Sequence, residues 1–501
     1  MAYSGYITRL KNVRRHSGAD RLLLAECFGN QVIVSTDYAE GQLGVYFPSD
    51  GQLCQEYCEI NNLLRKKDEN GNNIGGYMDE KRRVTAVKLR GEKSDGLFMP
   101  LASLANFTTV SDLKEGDTIT VLNGVEICKK YIPPRKSGSW HGTGKSGKAK
   151  ANFAPTFVEH VDTEQLAYHL NDFRAGDVVE LTLKMHGTSA RTGYLPLIVG
   201  YKDSFGCMVG NAIRNISARL RKKSAPNSYH DGEAIYEYGY VTGTRRVVLD
   251  DTHDGGFYSD NQFRHEMAKK FEGKLHKGET VYYEIVGFVN ASTPIMSSCD
   301  NKKIKDKEFV KQYGDTTVFS YGCDPDGDWE EKQYCSTPDI LDFDKIIAPK
   351  CEVYVYRMTM SNEEGDVVEM SPEQMRLRCD QMGVKCVPVF EKFMIPEFEE
   401  NYGVTHETSD FSDEVATLVT KTRTNVNPGE YVLHKVEQYF DGPDPIGKTH
   451  VREGVVARIV NRPNISVYKH KNFSFKVLEN IIKDVAEEPD MEEAQDVTEA
   501  E

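Results

Sequence analysis

The chain has 501 residues, 39% hydrophobic and 28% charged, with a formal net charge of −15. That length predicts two or more domains, and that balance is typical of soluble globular chains rather than fibrous or low-complexity ones. No apolar run of about 18 residues occurs, so no membrane-spanning helix is expected, and the opening MAYSGYITRLKNVRRH lacks the apolar centre of a secretory signal.

The 11 cysteines, scattered from Cys27 to Cys386, form no C-x-x-C pair. Disulfide frameworks and zinc sites usually show paired spacing, so reduced thiols and a cytoplasmic location are expected. Cys54 and Cys58 are the nearest pair and a poor metal site.

Residues 1–133 carry short runs rich in Val, Ile and Thr (NQVIVSTDY, QLGVYFP, RVTAVKLRG, DTITVLNG) separated by turns. Such runs predict a small β-barrel domain. The passage from His16 through Asp20 into LLAECFGNQVIV resembles the opening of OB-type tRNA-binding domains, which makes this an OB-like nucleic-acid-binding domain by expectation. Residues 134–154, beginning PRKSGSWHGTGKSGKAKAN, read as a flexible basic linker. Gly144-Lys145-Ser146 is not a phosphate-binding loop, because position 139 is serine where that motif needs glycine.

From 155 to 483 strand patterns (VVELTLK, TVYYEIVGF, CEVYVYRMT, GVVARIV, SVYKHKNFSFKVL) alternate with helical ones, which predicts an α+β domain with antiparallel sheets. SPEQMRLRCDQMG reads as a helix capped by Ser371, with Glu373 in its first turn. Acidic residues concentrate between Glu397 and Glu414, and residues 484–501 hold nine acids and no base, the composition of a disordered tail. Much of the net negative charge is therefore local and leaves room for a basic groove elsewhere.

Five stretches carry candidate chemistry. Lys184 ends the strand VVELTLK, and Gly187 follows three residues later, where a turn can bring backbone close to a ligand. Glu284 interrupts a largely apolar strand, on a face with Thr280, Tyr282 and Val286. Tyr356 stands in VYVYRMT. Glu453 precedes GVVARIV, and period-two counting groups it with Val455, Ala457 and Ile459. A carboxylate on such a face requires a metal or another charge. Lys469 and Lys471 share a face with Val467, Phe473, Phe475 and Val477, where two desolvated ammonium groups call for a strong anion such as phosphate.

In this order the motifs KMHGTS, YYEIVG, VYVYR, EGVVAR and YKHK resemble those of the covalent nucleotidyltransferases, with K-x-H-G-T the form found in RNA ligases. The phrases FVEHVDTEQL, VTGTRRVVL, TPIM and FSYGCD extend the resemblance to nick-sealing RNA ligases with an amino-terminal OB domain, over residues 1 to about 480. The resemblance implies ATP and a divalent metal (Mg or Mn) as cofactors. It implies Lys184 as the nucleophile that takes AMP, with Ser189 beside it in the nucleotide site. Glu284 would hold the ribose hydroxyls, Tyr356 stack on adenine, Glu453 bind the metal, and Lys469 and Lys471 contact the phosphate. Arg191, Arg245 and Arg246 are candidates for nucleic-acid contact. The partner implied is RNA or an RNA-containing nicked duplex, acted on by a monomer.

Two departures stand out. The stretch between Lys184 and Glu284 is long, and the family's arginine that contacts the 3′ end has no clear counterpart, Arg191 and Arg214 being candidates. The alternatives are another covalent nucleotidyltransferase, such as a DNA ligase or capping enzyme, or a non-catalytic RNA- or tRNA-binding protein. In the first group an OB domain usually follows the last motif, whereas here only about 30 residues follow Lys471. The second leaves Lys184, Glu453 and the paired lysines unexplained.

Overall fold

A computed structural model describes residues 3–67, 73–132, 153–160, 163–220, 229–245, 248–249, 262–330, 332–335, 343–397 and 428–486. Nearly all of the basic linker, Arg246, the acidic stretch after Glu397 and the tail beyond 486 lie outside them. The chain is α+β and mostly sheet, as expected.

The amino-terminal strands are short because the chain keeps changing sheet. Gly5–Arg9 pairs with Leu43–Phe47 and Thr118–Ile119, while Lys11–Arg15, one residue further on, belongs to a separate sheet with Leu22–Cys27 and Asn30–Ser35. Asn12, at φ 53°, lies where the register shifts between Lys11 and Arg14. Among the described residues these small sheets do not close into one barrel. Two cores hold them: Ile7, Val45, Phe47, Leu53, Tyr57 and Leu104 in one, and Leu10, Ala25, Cys27, Val32, Val34 and Phe98 in the other.

Two larger sheets dominate the rest, beside two small two-stranded ones. A five-stranded sheet runs Glu164–Gln165, Ser466–Lys471, Gly454–Ile459, Val178–Lys184, Val389–Met394. The larger sheet is centred on Thr188–Tyr201, Glu279–Asn290 and Cys351–Ser361. The three-residue turn Met185–Gly187 carries the chain from the first sheet to the second, so Lys184 stands where they meet. Leu183, Met185, Val286, Phe319, Tyr354 and Phe475 form the apolar floor beneath it.

Pro372–Met382 is the expected helix. Ser371 accepts from the Gln374 N–H, Gln374 answers as the other half of a capping box, and Gly383 closes the far end in the left-handed region. One expectation fails. SVYKHKNFSFKVL is not one strand: it is the strand Ser466–Lys471 followed by the helix Phe473–Ala486. Lys471 pairs with Gly454, the last partner residue available, and the Asn472 side chain accepts from the Ser474 and Phe475 N–H groups. That cap starts the helix, which buries Phe475 and Leu478. Each buried side chain contributes roughly 1.5–3 kcal/mol.

The long stretch between Lys184 and Glu284 holds the extended hairpin Thr188–Tyr201 and Ala234–Thr244 with the helix Phe205–Leu220 between its strands. Arg214 lies on that helix and is exposed.

Candidate active site

Three neighbouring strands set side chains in rows, because opposed residues of an antiparallel sheet share a face. Lys184 lies opposite Gly454, which lies opposite Lys471. The next row is Thr182, Val456, Lys469, and the next Glu180, Arg458, Val467. Apart from Gly454, all of these line a cavity of about 430 Å³.

Gly454 leaves the gap that Glu453 fills. A Cβ at Gly454 would lie 2.1 Å from the His470 carbonyl oxygen, so no side chain fits there. The Glu453 carboxylate is 2% exposed and joins the lysines on either side: its Oε1 lies 2.8 Å from Lys184 Nζ and 3.4 Å from Lys471 Nζ. The alternation expected from sequence holds for Val455, Ala457 and Ile459, which enter the core, but does not extend to Glu453. The regular strand begins only at Gly454, whose φ of 156° departs from the usual pleat.

Burial alone would push the Glu453 carboxyl up, but Lys184 and Lys471 outweigh it and hold the group below the usual carboxylate range. Lys469 is pushed down to about 7, first by burial, then by the like charges of Lys471, Lys184 and Lys130. His186 is lowered to about 4 by burial and so is neutral near pH 7. Its N–H donates to Tyr321 Oη at 2.7 Å, and its ring meets Phe319 and Phe475 edge-on.

Gly187 is needed for closeness rather than for an unusual dihedral. A Cβ there would lie 2.4 Å from the Ile285 carbonyl oxygen and 2.9 Å from Glu284 Cγ. The Gly187 N–H donates to Glu284 Oε1 at 3.0 Å, tying the turn after Lys184 to the second sheet. Gly187→Ala is expected to cost about 1–3 kcal/mol as overpacking and to displace Glu284. A melting curve with an adenylation assay checks this; an unchanged melting temperature and rate would refute the constraint.

Ser189 Oγ and Tyr356 Oη are 2.7 Å apart, which fixes the tyrosine ring at the cavity wall, with the His160 ring 5.0 Å away centroid to centroid. Lys184, Ser189, Glu284, Tyr356, Glu453, Lys469 and Lys471 thus converge on one cavity. Arg245 also lines it. Arg191 does not: it is 1% exposed, donates to the Phe157 carbonyl at 3.0 Å and lies over the Phe157 ring.

Sequence reading passed over other lining groups. Glu180 and Arg376 form a two-pronged pair at 2.9 Å each. Counting by twos back from Lys184 reaches Thr182 and Glu180, so that signal was present. Lys130 and Arg376 come from elements without a motif, and only the fold brings them here. Cys54 caps the helix Gln55–Ile60, its sulfur accepting from the Tyr57 N–H, and Cys58 is buried. Neither stands in a potential metal-binding group among the described residues.

One of the two Glu453 oxygens, Oε2, is buried with no hydrogen-bond partner among the described residues, and the neutral His186 ring stands near it, with Nδ1 at 3.8 Å. A buried carboxylate oxygen left this way at the edge of a lysine-lined cavity fits a cation ligand.

No protein-family model matches the chain, and no curated protein matches it. Solved structures do. An RNA ligase from Naegleria gruberi, as a lysine-to-alanine mutant with ATP and Mn, aligns over 95% of this chain and 98% of its own at 15% identity and a TM-score of 0.48. A lysine-to-methionine mutant of the same ligase with AMP and Mn aligns over 94% and 98%, at 15% identity and 0.48. The ligase with PPi aligns over 96% and 98%, at 14% and 0.47. Likeness of this degree leaves the chemistry of the cavity to be read from its own side chains.

Proposed function

We propose that the chain is an ATP-dependent RNA ligase that carries AMP on Lys184, transfers it to a 5′-phosphate end and joins that end to a 3′-hydroxyl, sealing nicks in RNA. The observation that carries this reading is the meeting of Lys184, buried Glu453 and two further lysines in one cavity, beside a tethered tyrosine and Glu284. An RNA-binding protein has no need of a buried carboxylate holding a strand-end lysine.

In the first step the neutral Lys184 amine attacks the α-phosphorus of ATP. An N–P bond forms, the bond to the bridging oxygen breaks, and pyrophosphate leaves with the electron pair. The cationic surroundings stabilise charge on the phosphate oxygens. Lys469 and Lys471 face the phosphate, Glu284 the ribose, and the Tyr356 ring offers a stacking surface for adenine. A divalent ion, Mg or Mn, would be held by Glu453 and would supply further charge neutralisation. Arg245 and Arg246 are assigned to the nucleic-acid strand, and the amino-terminal unit, as an OB-like module, to broad duplex contact.

Lys469 gives this reading a pH signature. With its value near 7 the amine is largely neutral at pH 8, and bound phosphates favour the charged form, so ATP binding should take up protons at pH 8. Calorimetry in buffers of different ionisation enthalpy measures that uptake, which should vanish in Lys469→Met. Binding without proton exchange would remove Lys469 from the phosphate site.

The deciding experiment mixes the protein with α-labelled ATP and a divalent metal, then with a nicked duplex ending in RNA or DNA 3′-hydroxyls. Label on the denatured protein, absent with GTP, followed by sealing of RNA ends, is the expected result. Label with sealing of DNA ends alone would make it a DNA ligase. No label, in protein free of bound AMP, would refute the enzyme.

A further inference from the structure

The helix Phe473–Ala486 touches both the cavity and the amino-terminal unit. Lys471 Nζ lies 3.0 and 2.8 Å from the two oxygens of Glu479, closer than to Glu453 at 3.4 Å. Lys471 and Glu479 are largely buried, with side chains 14% and 15% exposed. Glu479 belongs to none of the motifs that place Lys184, Glu453 and Lys471.

Lys476 and Asn480, three residues before and one after Glu479, lie on the same side of the helix. Lys476 pairs with Asp95, and Asn480 accepts from Arg83, its backbone carbonyl at 3.3 Å and its side-chain oxygen closer still. Asp95, Arg83 and Asn480 are all buried. Lys93 lies 5.4 Å from the centre of the Phe473 ring. The face that presents Glu479 is thus seated against Arg83, Lys93 and Asp95 of the amino-terminal unit.

We propose that Glu479 is a positioning residue. It holds Lys471 at a fixed place in the cavity, and the amino-terminal unit sets that place by gripping the helix through Asp95 and Arg83. Two lysines flank one carboxylate at Glu453. Without a second acceptor Lys471 would collapse onto Glu453 and compete with Lys184 for the same oxygen. Glu479 gives Lys471 a nearer acceptor and lessens that competition. The role in catalysis rests on the ligase reading; the placement of Lys471 does not.

The test has two readouts. In the resting protein, mass spectrometry after brief amine acylation should find Lys471 slow to react. Glu479→Gln and Asp95→Asn should each raise its reactivity at least fivefold, with Glu479→Asp close to wild type. Unchanged reactivity in Glu479→Gln overturns the proposal whether or not the protein is a ligase. In the adenylation assay at saturating ATP, Glu479→Gln should slow single-turnover labelling of Lys184 about tenfold or more. The double variant Glu479→Gln/Lys471→Ala should be no slower than Lys471→Ala alone, because Glu479 acts through Lys471. Losses that multiply would mark Glu479 as a general support of the fold and overturn the positioning role. Absence of label in the wild type would fall on the ligase reading, and the acylation result would still decide the placement.

Discussion

Lys184→Ala protein incubated with α-labelled ATP and metal is expected to carry no label after denaturation. No neighbouring group replaces it as nucleophile: Lys469 and Lys471 stand two strands away, and Glu453 lies between. ATP should still bind, within about tenfold of wild type, because the stacking surface and the phosphate-facing lysines remain. The variant should also still seal a strand whose 5′ end already bears AMP, since that step forms no bond to Lys184. A persisting adduct, or equal loss of sealing on the pre-adenylylated strand, would show that Lys184 is not the acceptor or that the variant is misfolded. Circular dichroism separates those outcomes.

The second large effect is expected at Glu453. Glu453→Gln keeps the shape and removes the charge. Breaking a buried ion pair from one side typically costs about 3–5 kcal/mol, and here two ammonium groups lose their carboxylate. Loss of the charge stabilisation a metal there would supply adds several kcal/mol. Lysine adenylation should therefore fall by about 100-fold or more, with a lower melting temperature. Addition of metal should no longer raise the melting temperature as it does in wild type. A variant within threefold of wild-type rate, with metal-dependent stabilisation intact, would displace Glu453 from the metal site.

Local pattern was enough to place the cavity-lining residues on strands. Lys184 ends one and Glu284 and Tyr356 stand within others, all written by Val, Ile and Tyr, and Lys469 and Lys471 share a cavity face at period two as counted. Where the counting failed, a local backbone event intervened. Gly454 takes Glu453 off the face of Val455, and Asn472 ends a strand that apolar alternation would have carried on to Val477. A cap worth about 1 kcal/mol outcompetes alternation once the partner strand has run out. Lys130 and Arg376 were illegible for another reason: each reaches the cavity by long-range packing that no window of sequence records. Glu479 lies only eight residues from Lys471, but on a helix that the strand pattern did not reveal. Arg191 shows the converse, a charge that sequence assigns to the surface and packing encloses under Phe157. The amino-terminal strands were legible one by one, but their division among small sheets was not.

The order in which the cavity's parts occur along the chain also has a consequence for synthesis. Glu164–Gln165 pairs in parallel with Tyr468–Lys469, so the first strand of the five-stranded sheet has its partner some three hundred residues later. At roughly 5–20 residues per second, Lys184 leaves the ribosome on the order of 15–60 s before Lys471 and Glu479. Until then Lys184 exists without Glu453, Lys469 or Lys471 beside it. A chain released early, whether by a broken message or a stalled ribosome, would carry Lys184 with no cavity built around it. Assembly of the cavity thus waits for synthesis of the chain through Glu479.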